Sequence, residues 1–109
     1  MEISFRTKEL RKLCEDRRHA DETLGVKVAD ILRRRLADLR AASRIEDVLL
    51  GNPSFDIHEG EQRFQLELDG FGALLFKANH LRNAANLGNA IEWTLVSRLK
   101  LVEVELADV

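Results

Sequence analysis

The stretch Arg63-Phe64-Gln65-Leu66-Glu67-Leu68-Asp69-Gly70-Phe71-Gly72-Ala73-Leu74-Leu75-Phe76-Lys77 decides the fold. Its first half alternates apolar and polar residues, which is the period of a strand with one buried face. Asp69-Gly70 then favours a tight turn, because glycine adopts the positive φ that such turns need. Residues 73–76 are all apolar, as is typical of a strand inside a sheet. We therefore predict a β-hairpin here.

The chain before this hairpin carries signals for one strand and one helix. Glu2-Ile3-Ser4-Phe5 alternates and predicts a short first strand. Thr7 is a good N-cap for a helix whose apolar face contains Leu10, Leu13 and Cys14. The polar run over residues 15–19 is predicted to end this helix.

A second, longer helix is predicted over Asp21–Ala42, capped by Asp21. Its apolar residues recur at three- and four-residue steps: Leu24, Val28, Ile31, Leu32, Leu36 and Leu39. The run Arg33-Arg34-Arg35 has two readings. Arg34 lies four residues from both Asp30 and Asp38 and can pair along the helix. Alternatively, the three arginines form a surface for RNA or a partner protein.

Shorter elements are predicted on either side of the hairpin. Ser43 and Glu46 match a capping box for a short helix over Ile45–Leu50. Ser54–Ile57 is predicted to be a strand that leads through a turn at Gly60 into the hairpin. The asparagine-rich residues 78–92 favour a loop.

The last strand is predicted over Leu95–Leu106, introduced by Trp93, which we assign to core or loop packing. The apolar residues change parity at Leu101-Val102, which favours a β-bulge or a strand buried on both faces. The sequence thus predicts an α+β domain, with a helical pair on one face of a mainly antiparallel sheet of about four to five strands.

The length and composition of the chain limit the class of protein to which it can belong. A chain of 109 residues with 45% hydrophobic content corresponds to one domain, residues 1–109, with an adequate core. Its apolar runs fall short of the ~18 residues of a membrane span. Residues 1–8 do not resemble a signal peptide. The single Cys14, predicted to be a buried and inert thiol, suits a reducing cytoplasm.

The charge is unevenly distributed along the chain. Residues 1–44 hold 12 Lys and Arg against 8 Asp and Glu, a net charge of +4. Residues 45–109 hold 5 against 11, a net charge of −6. A polyanion-binding domain usually shows a strong basic excess. This distribution favours ordinary solvated surfaces over a nucleic-acid footprint.

Four segments together resemble a known family: Ile3–Phe5 with Lys8–Cys14, Val28–Ser43, the hairpin with Phe64, Leu66, Leu68 and Gly70, and Val102–Glu105. They are similar to the killer proteins of type II toxin–antitoxin systems, in the HigB-like (host inhibition of growth, plasmid maintenance) branch of the RelE/ParE superfamily. The resemblance covers nearly the whole chain, with the asparagine-rich loop least similar.

The resemblance implies a RelE-like fold, with two N-terminal helices on a curved, mainly antiparallel sheet. It implies a cytoplasmic toxin that cleaves messenger RNA on the ribosome, and a helix-turn-helix antitoxin as its partner. Neither a metal nor a cofactor is implied, because the 2′-hydroxyl of the RNA attacks the adjacent phosphate. Side chains of the sheet would supply the acid, the base and the positive charge.

The family's catalytic positions are poorly matched here. Where the family has an arginine after the hairpin turn, this chain has Ala73, and the tail Leu106-Ala107-Asp108-Val109 lacks the family's Tyr or His. His58 is the nearest match to a Lys or His that faces RNA, and Arg63 is the other catalytic candidate. Losing a principal charge-stabilising donor commonly costs ~10²–10³ in rate.

Arg63, Lys77 and Arg82 are the candidates for binding RNA, and no His or Cys spacing predicts a metal site. Three hypotheses therefore stand. The chain is an active mRNA-cleaving toxin, a toxin-like module that has lost catalysis and binds an antitoxin, or a ParE-like inhibitor of DNA gyrase.

Overall fold

A computed structural model describes residues 1–79, 86–87 and 90–107. Its helices are α1 (Lys8–Glu15), α2 (Arg17–Leu24) and α3 (Val26–Ala41), and two 3₁₀ turns span Ile45–Asp47 and Trp93–Leu95. Its strands are β1 (Glu2–Phe5), β2 (Ser54–His58), β3 (Glu61–Glu67), β4 (Gly72–Ala78), β5 (Asn86–Leu87), β6 (Ala90–Ile91) and β7 (Arg98–Leu106). The predicted α+β class is confirmed.

The main sheet has five strands in the order β1-β7-β4-β3-β2. All neighbours are antiparallel except β1, which runs parallel to β7. Strands β5 and β6 pair separately with each other. Within the described ranges, β2 therefore forms one edge of the main sheet and β1 the other.

The central hairpin forms where the sequence predicted it. Asp69 and Gly70 have φ values of 50° and 86°, and the Phe71 backbone N–H donates to the Leu68 carbonyl at 2.9 Å. Positive φ at both central positions defines a type I′ turn, whose twist matches that of the flanking strands. Asp-Gly supplies this conformation at low cost.

The core lies between α3 and one face of the sheet. Leu32, Leu36 and Leu39 of α3 are fully buried in a single cluster with apolar side chains of the strands. That cluster includes the strand residues Phe64, Leu66, Leu74, Phe76, Leu99 and Leu101, and Leu68 directly after β3. The alternation read from residues 64–68 thus identifies the buried face correctly.

The helices differ from the prediction. The long helix expected over Asp21–Ala42 is broken at Gly25, which has φ 83° and ψ 152°, so the described residues form three helices rather than two. Asp16, not Asp21, caps α2, because its Oδ1 accepts from the His19 backbone N–H at 3.1 Å. The apolar stripe continues in phase across the break, which explains why the spacing alone did not reveal it.

The predicted irregularity in the last strand is present. Leu75 lies opposite Glu103, whereas its neighbour Phe76 lies opposite Leu101, so β7 has one extra residue there, Val102. This is a β-bulge, and both Leu101 and Val102 are buried.

Some predicted boundaries are wrong. The short helix expected over Ile45–Leu50 is a 3₁₀ turn, Ile45–Asp47. Instead of the predicted Ser43–Glu46 box, the Asp47 carboxylate accepts from the Arg44 backbone N–H at 3.3 Å, one residue later in the chain. The Val48 N–H donates to the Ile45 carbonyl at 3.1 Å, which is the i+3 bond of a 3₁₀ turn.

The region after β4 also differs. Residues 86–87 and 90–91, expected to lie in a loop, form the β5–β6 pair, and residues 80–85 and 88–89 lie outside the described residues. The last strand begins at Arg98 rather than Leu95, because residues 93–95 form a 3₁₀ turn in which the Val96 N–H donates to the Trp93 carbonyl.

Candidate functional site

The resemblance implies catalytic groups on the sheet, so the sheet face opposite α3 is the candidate site. We call it the far face. Side chains alternate across a strand, and the register of the four antiparallel strands therefore fixes its members. They are Ser54, Asp56 and His58 of β2; Glu61, Arg63, Gln65 and Glu67 of β3; Ala73, Leu75 and Lys77 of β4; and Arg98, Lys100, Glu103 and Glu105 of β7. Of these, Arg98 pairs with Glu2 of β1.

Arg63 is held by a carboxylate of the neighbouring strand. Its Nε and Nη2 donate to the two carboxylate oxygens of Asp56 at 3.0 and 2.8 Å. The hydrogen bonds from Arg63 hold the pKa of Asp56 below its ordinary value, and the same pair raises the pKa of Arg63. Arg63 is only 9% exposed. Its fork-shaped guanidinium is thus committed to Asp56.

Lys77, the second RNA-binding candidate, also has an anionic partner. Its ammonium pairs with the Glu61 carboxylate of the adjoining strand. This contact lowers the pKa of Glu61, chiefly through the hydrogen bond from Lys77. Arg82, the third candidate, lies outside the described residues.

His58, at the end of β2, is exposed. Its Nε2 lies 3.9 Å from Glu59 Oε1, next to the turn. Registers place His58 opposite Glu61 and place Arg63 opposite Asp56, two residues further along the hairpin. The structure therefore brings both catalytic candidates to the same face of one hairpin.

Ala73 is flanked by negative charge. It lies opposite Glu67 of β3 on one side and Glu105 of β7 on the other. Ala73 and Glu105 also line a surface pocket together with Asp56 and Arg63. The tail residues 108–109 lie outside the described residues. At the position where the family has an arginine, the local charge is therefore anionic.

Sequence reasoning missed Lys100. It lies opposite Lys77 on the far face and has no ion pair within the described ranges. The alternation Leu99-Lys100-Leu101 indicated that the Lys100 side chain faces outward. The parity change at the bulge, however, hid the fact that Lys100 lies on the same face as Lys77. Phosphoryl chemistry needs positive charge directed at the reacting oxygens. Of the cations on this face, only Lys100 is uncommitted among the described residues.

The three consecutive arginines have different surroundings. Arg35 is buried, and its Nη2 donates to Asp69 Oδ1 at 2.5 Å. Arg33 pairs with Asp30 and, at 3.2 Å, with Asp21. Arg34 is exposed. The predicted pairing of Arg34 with Asp30 is wrong, because Arg33 occupies that carboxylate from the i+3 position.

Trp93 packs against aromatic side chains as the sequence indicated, whereas Cys14, predicted to be buried, is only half-buried. Cys14 is half-buried against the core, and burial raises the pKa of its thiol to about 12. The Trp93 ring packs 5.1 Å from the Phe55 ring and 6.3 Å from the Phe64 ring, measured between centroids. Among the described residues, no group of three or more His, Cys, Asp and Glu side chains is arranged to hold a metal ion.

Comparisons with known proteins yield no match to a family model, to a curated protein or to a solved structure. Among the described residues, no helix has the length and apolar character that crossing a membrane requires.

Proposed function

We propose that this chain is the toxin-type component of a cytoplasmic type II toxin–antitoxin system, with mRNA cleavage weakened or lost and binding of an antitoxin retained. The family assignment rests on the sequence resemblance. The element order and the α+β architecture are compatible with it: helices packed on one face of a mainly antiparallel sheet, with the other face carrying polar side chains.

The ion pair between Arg63 and Asp56 is the main support for the proposal that catalysis is weakened. A guanidinium that gives two hydrogen bonds to its own Asp56 has to break them before it can bind a phosphate. Lys77 faces the same cost, because Glu61 holds it. Ala73, set between Glu67 and Glu105, supplies no replacement charge. A pentavalent phosphate placed here would meet more negative than positive charge.

The experiment is expression of the chain in a bacterial host without an antitoxin, followed by growth curves and the lengths of specific messages. We expect undisturbed growth and intact messages at an expression level confirmed by immunoblotting. Growth arrest with shortened messages would overturn the proposed loss of catalysis. Arrest with intact messages and altered plasmid supercoiling would favour the gyrase-inhibitor hypothesis.

A matched pair of variants sharpens this test. Ala73→Arg restores the cation at the family's position, between two carboxylates, and is expected to produce or increase message cleavage. Ala73→Gln adds a side chain of intermediate size without charge and is expected to leave the messages intact. Equal effects of the two variants would show that charge at this position is irrelevant to any activity.

A further inference from the structure

The edge strand β2 offers free backbone groups at two residues. Glu59 and Gly60, with φ values of 51° and 80°, form the two-residue turn between β2 and β3, so the pair His58–Glu61 that closes it exchanges both backbone hydrogen bonds. Such pairs alternate along an antiparallel ladder. The backbone N–H and C=O groups of Phe55 and Ile57 therefore point away from β3. In the described part of the chain, no strand lies beyond them.

The same two residues expose their side chains. Phe55 is 51% exposed and Ile57 is 71% exposed. Phe55 packs against Trp93, and Leu95, two residues further along, is 59% exposed. An edge strand with outward backbone donors and apolar side chains is a template for adding another strand.

We propose that β2 pairs antiparallel with β2 of a second copy of this chain, centred on Asp56. In this register, Phe55 of each copy lies opposite Ile57 of the other, and each such pair exchanges two backbone hydrogen bonds. Ser54 lies opposite His58 of the second copy. All four outward N–H and C=O groups of each strand are then used. The two sheets become one continuous sheet of ten strands.

The neighbouring registers are less favourable. Shifting the pairing toward the N-terminus places Ile57 opposite Pro53, which has no N–H to donate. Shifting it toward the C-terminus places Phe55 opposite Glu59, whose φ of 51° lies outside the extended region. The register centred on Asp56 is thus the one in which both partners of every hydrogen-bonded pair are extended and complete.

Charge does not oppose this register. It brings the two Asp56 residues directly opposite each other, where like charges would normally repel. Each carboxylate, however, already receives two hydrogen bonds from its own Arg63. The groups that face each other across the two-fold axis are therefore two neutral ion pairs rather than two unpaired carboxylates. This gives the Asp56–Arg63 pair a role in association that is separate from RNA chemistry and independent of the proposed function.

The register is tested by disulfide cross-linking. In a Cys14→Ala background, the double variant Ser54→Cys/His58→Cys places two thiols opposite each other in a non-hydrogen-bonded pair, where Cα atoms are ~4.5 Å apart, within the range of a disulfide. Equivalent residues of the two copies are four positions apart along the strand, ~13 Å. Mild oxidation is therefore expected to produce covalent dimers with the double variant and not with either single variant.

The absence of covalent dimer in the double variant, or equal dimer yields in the single variants, would overturn the proposed pairing. Association without cross-linking is measured by sedimentation at protein concentrations up to about 1 mM. The unmodified chain is expected to double its mass from 12.4 kDa. A mass that stays that of the monomer at every concentration overturns the proposal. It does so also if β2 pairs with a different protein instead.

A matched pair of variants distinguishes pairing through β2 from nonspecific hydrophobic association. Ile57→Lys places a charge in the proposed interface, whereas Leu49→Lys places one at an 83% exposed leucine outside β2. Both side chains point into solvent in the monomer, so both variants are expected to fold. The dimer is expected to be lost with Ile57→Lys and kept with Leu49→Lys. Equal behaviour of the two variants contradicts pairing through β2.

Discussion

Arg35 on α3 and Asp69 in the turn of the central hairpin are joined by a hydrogen bond of 2.5 Å from Nη2 to Oδ1. The Nε of the same guanidinium donates to the Glu67 carbonyl at 3.1 Å. Arg35 is only 6% exposed, and Gly51 lies so close to it that a Cβ there would be 2.9 Å from Nε. The longest helix is thereby fixed to the hairpin that organises the sheet.

Replacing Asp69 by Asn is predicted to destabilise the protein by about 1–2 kcal/mol, because a buried guanidinium loses its anionic partner. The value lies at the low end for a charged hydrogen bond, since the Asp69 side chain is 61% exposed. Asn tolerates the positive φ of this turn position, so the turn itself is retained. Urea unfolding gives the free energy difference.

The control for this measurement is Glu67→Gln, the same carboxylate-to-amide change on an exposed side chain. Arg35 contacts only the backbone carbonyl of Glu67, so this variant is expected to lie within about 0.5 kcal/mol of the unmodified chain. Equal losses in the two variants would mean that the Arg35–Asp69 bond contributes nothing measurable.

Stability is predicted to depend on Asp56 in the acid range. Arg63 holds the pKa of the folded Asp56 carboxyl below its ordinary value of 3.8. The resulting stabilisation is therefore complete above pH 3.8 or so and is lost as the pH falls through the lower pKa of the folded state. The difference in unfolding free energy between the unmodified chain and Asp56→Asn is expected to be constant near neutrality and to shrink toward zero in acid. A difference that grows with falling pH would contradict this.

The Cys14 thiol is predicted to react slowly in the folded protein. With a pKa of about 12 instead of 9.0, its thiolate fraction at pH 8 is lower by ~10³. Ellman's reagent is therefore expected to modify native Cys14 at least ~10²-fold more slowly than the urea-unfolded chain. Labelling of the native protein at the unfolded rate would show that the thiol is solvated.

Leu68→Asp is predicted to unfold the protein. Leu68 is fully buried, and an unpaired carboxylate there costs several kcal/mol against a total stability of ~5–15 kcal/mol. The neighbouring change Glu67→Asp, on the opposite face of the sheet, is expected to leave the melting curve almost unchanged. Thermal melts by circular dichroism distinguish the two, and a cooperative melt of Leu68→Asp near the original temperature would contradict the assigned face.

Local signals in the sequence predicted much of the fold. Asp69-Gly70 indicated the turn, the alternation at residues 64–68 indicated the buried face, and Thr7 indicated the first helix, where its Oγ1 accepts from the Leu10 N–H at 3.1 Å. The parity change at Leu101-Val102 indicated the bulge. Each of these depends on a few neighbouring residues.

Features that depend on which strands become neighbours were not predictable in this way. The pairing of Arg63 with Asp56 requires the register of β2 on β3, and nothing in either residue's immediate sequence specifies it. The edge position of β2 requires the order of all five strands. The break at Gly25 was missed for a different reason, since an uninterrupted apolar stripe outweighed a single glycine.

The bulge at Val102 also determines the charge of the far face. If β7 were regular through Val102, the strand would keep its earlier phase, Val102 would lie opposite Leu75, and Glu103 and Glu105 would turn toward the core, opposite Leu74 and Gly72. The insertion instead returns both carboxylates to solvent, beside Ala73, and Val104 to the apolar side. Converting the bulge into regular pairing would thus exchange an acidic surface for an apolar one, whereas deleting Val102 would leave Glu103 opposite Leu75 and Glu105 opposite Ala73. Residue 102 is therefore the position where the regularity of the strand and the electrostatics of the surface are coupled.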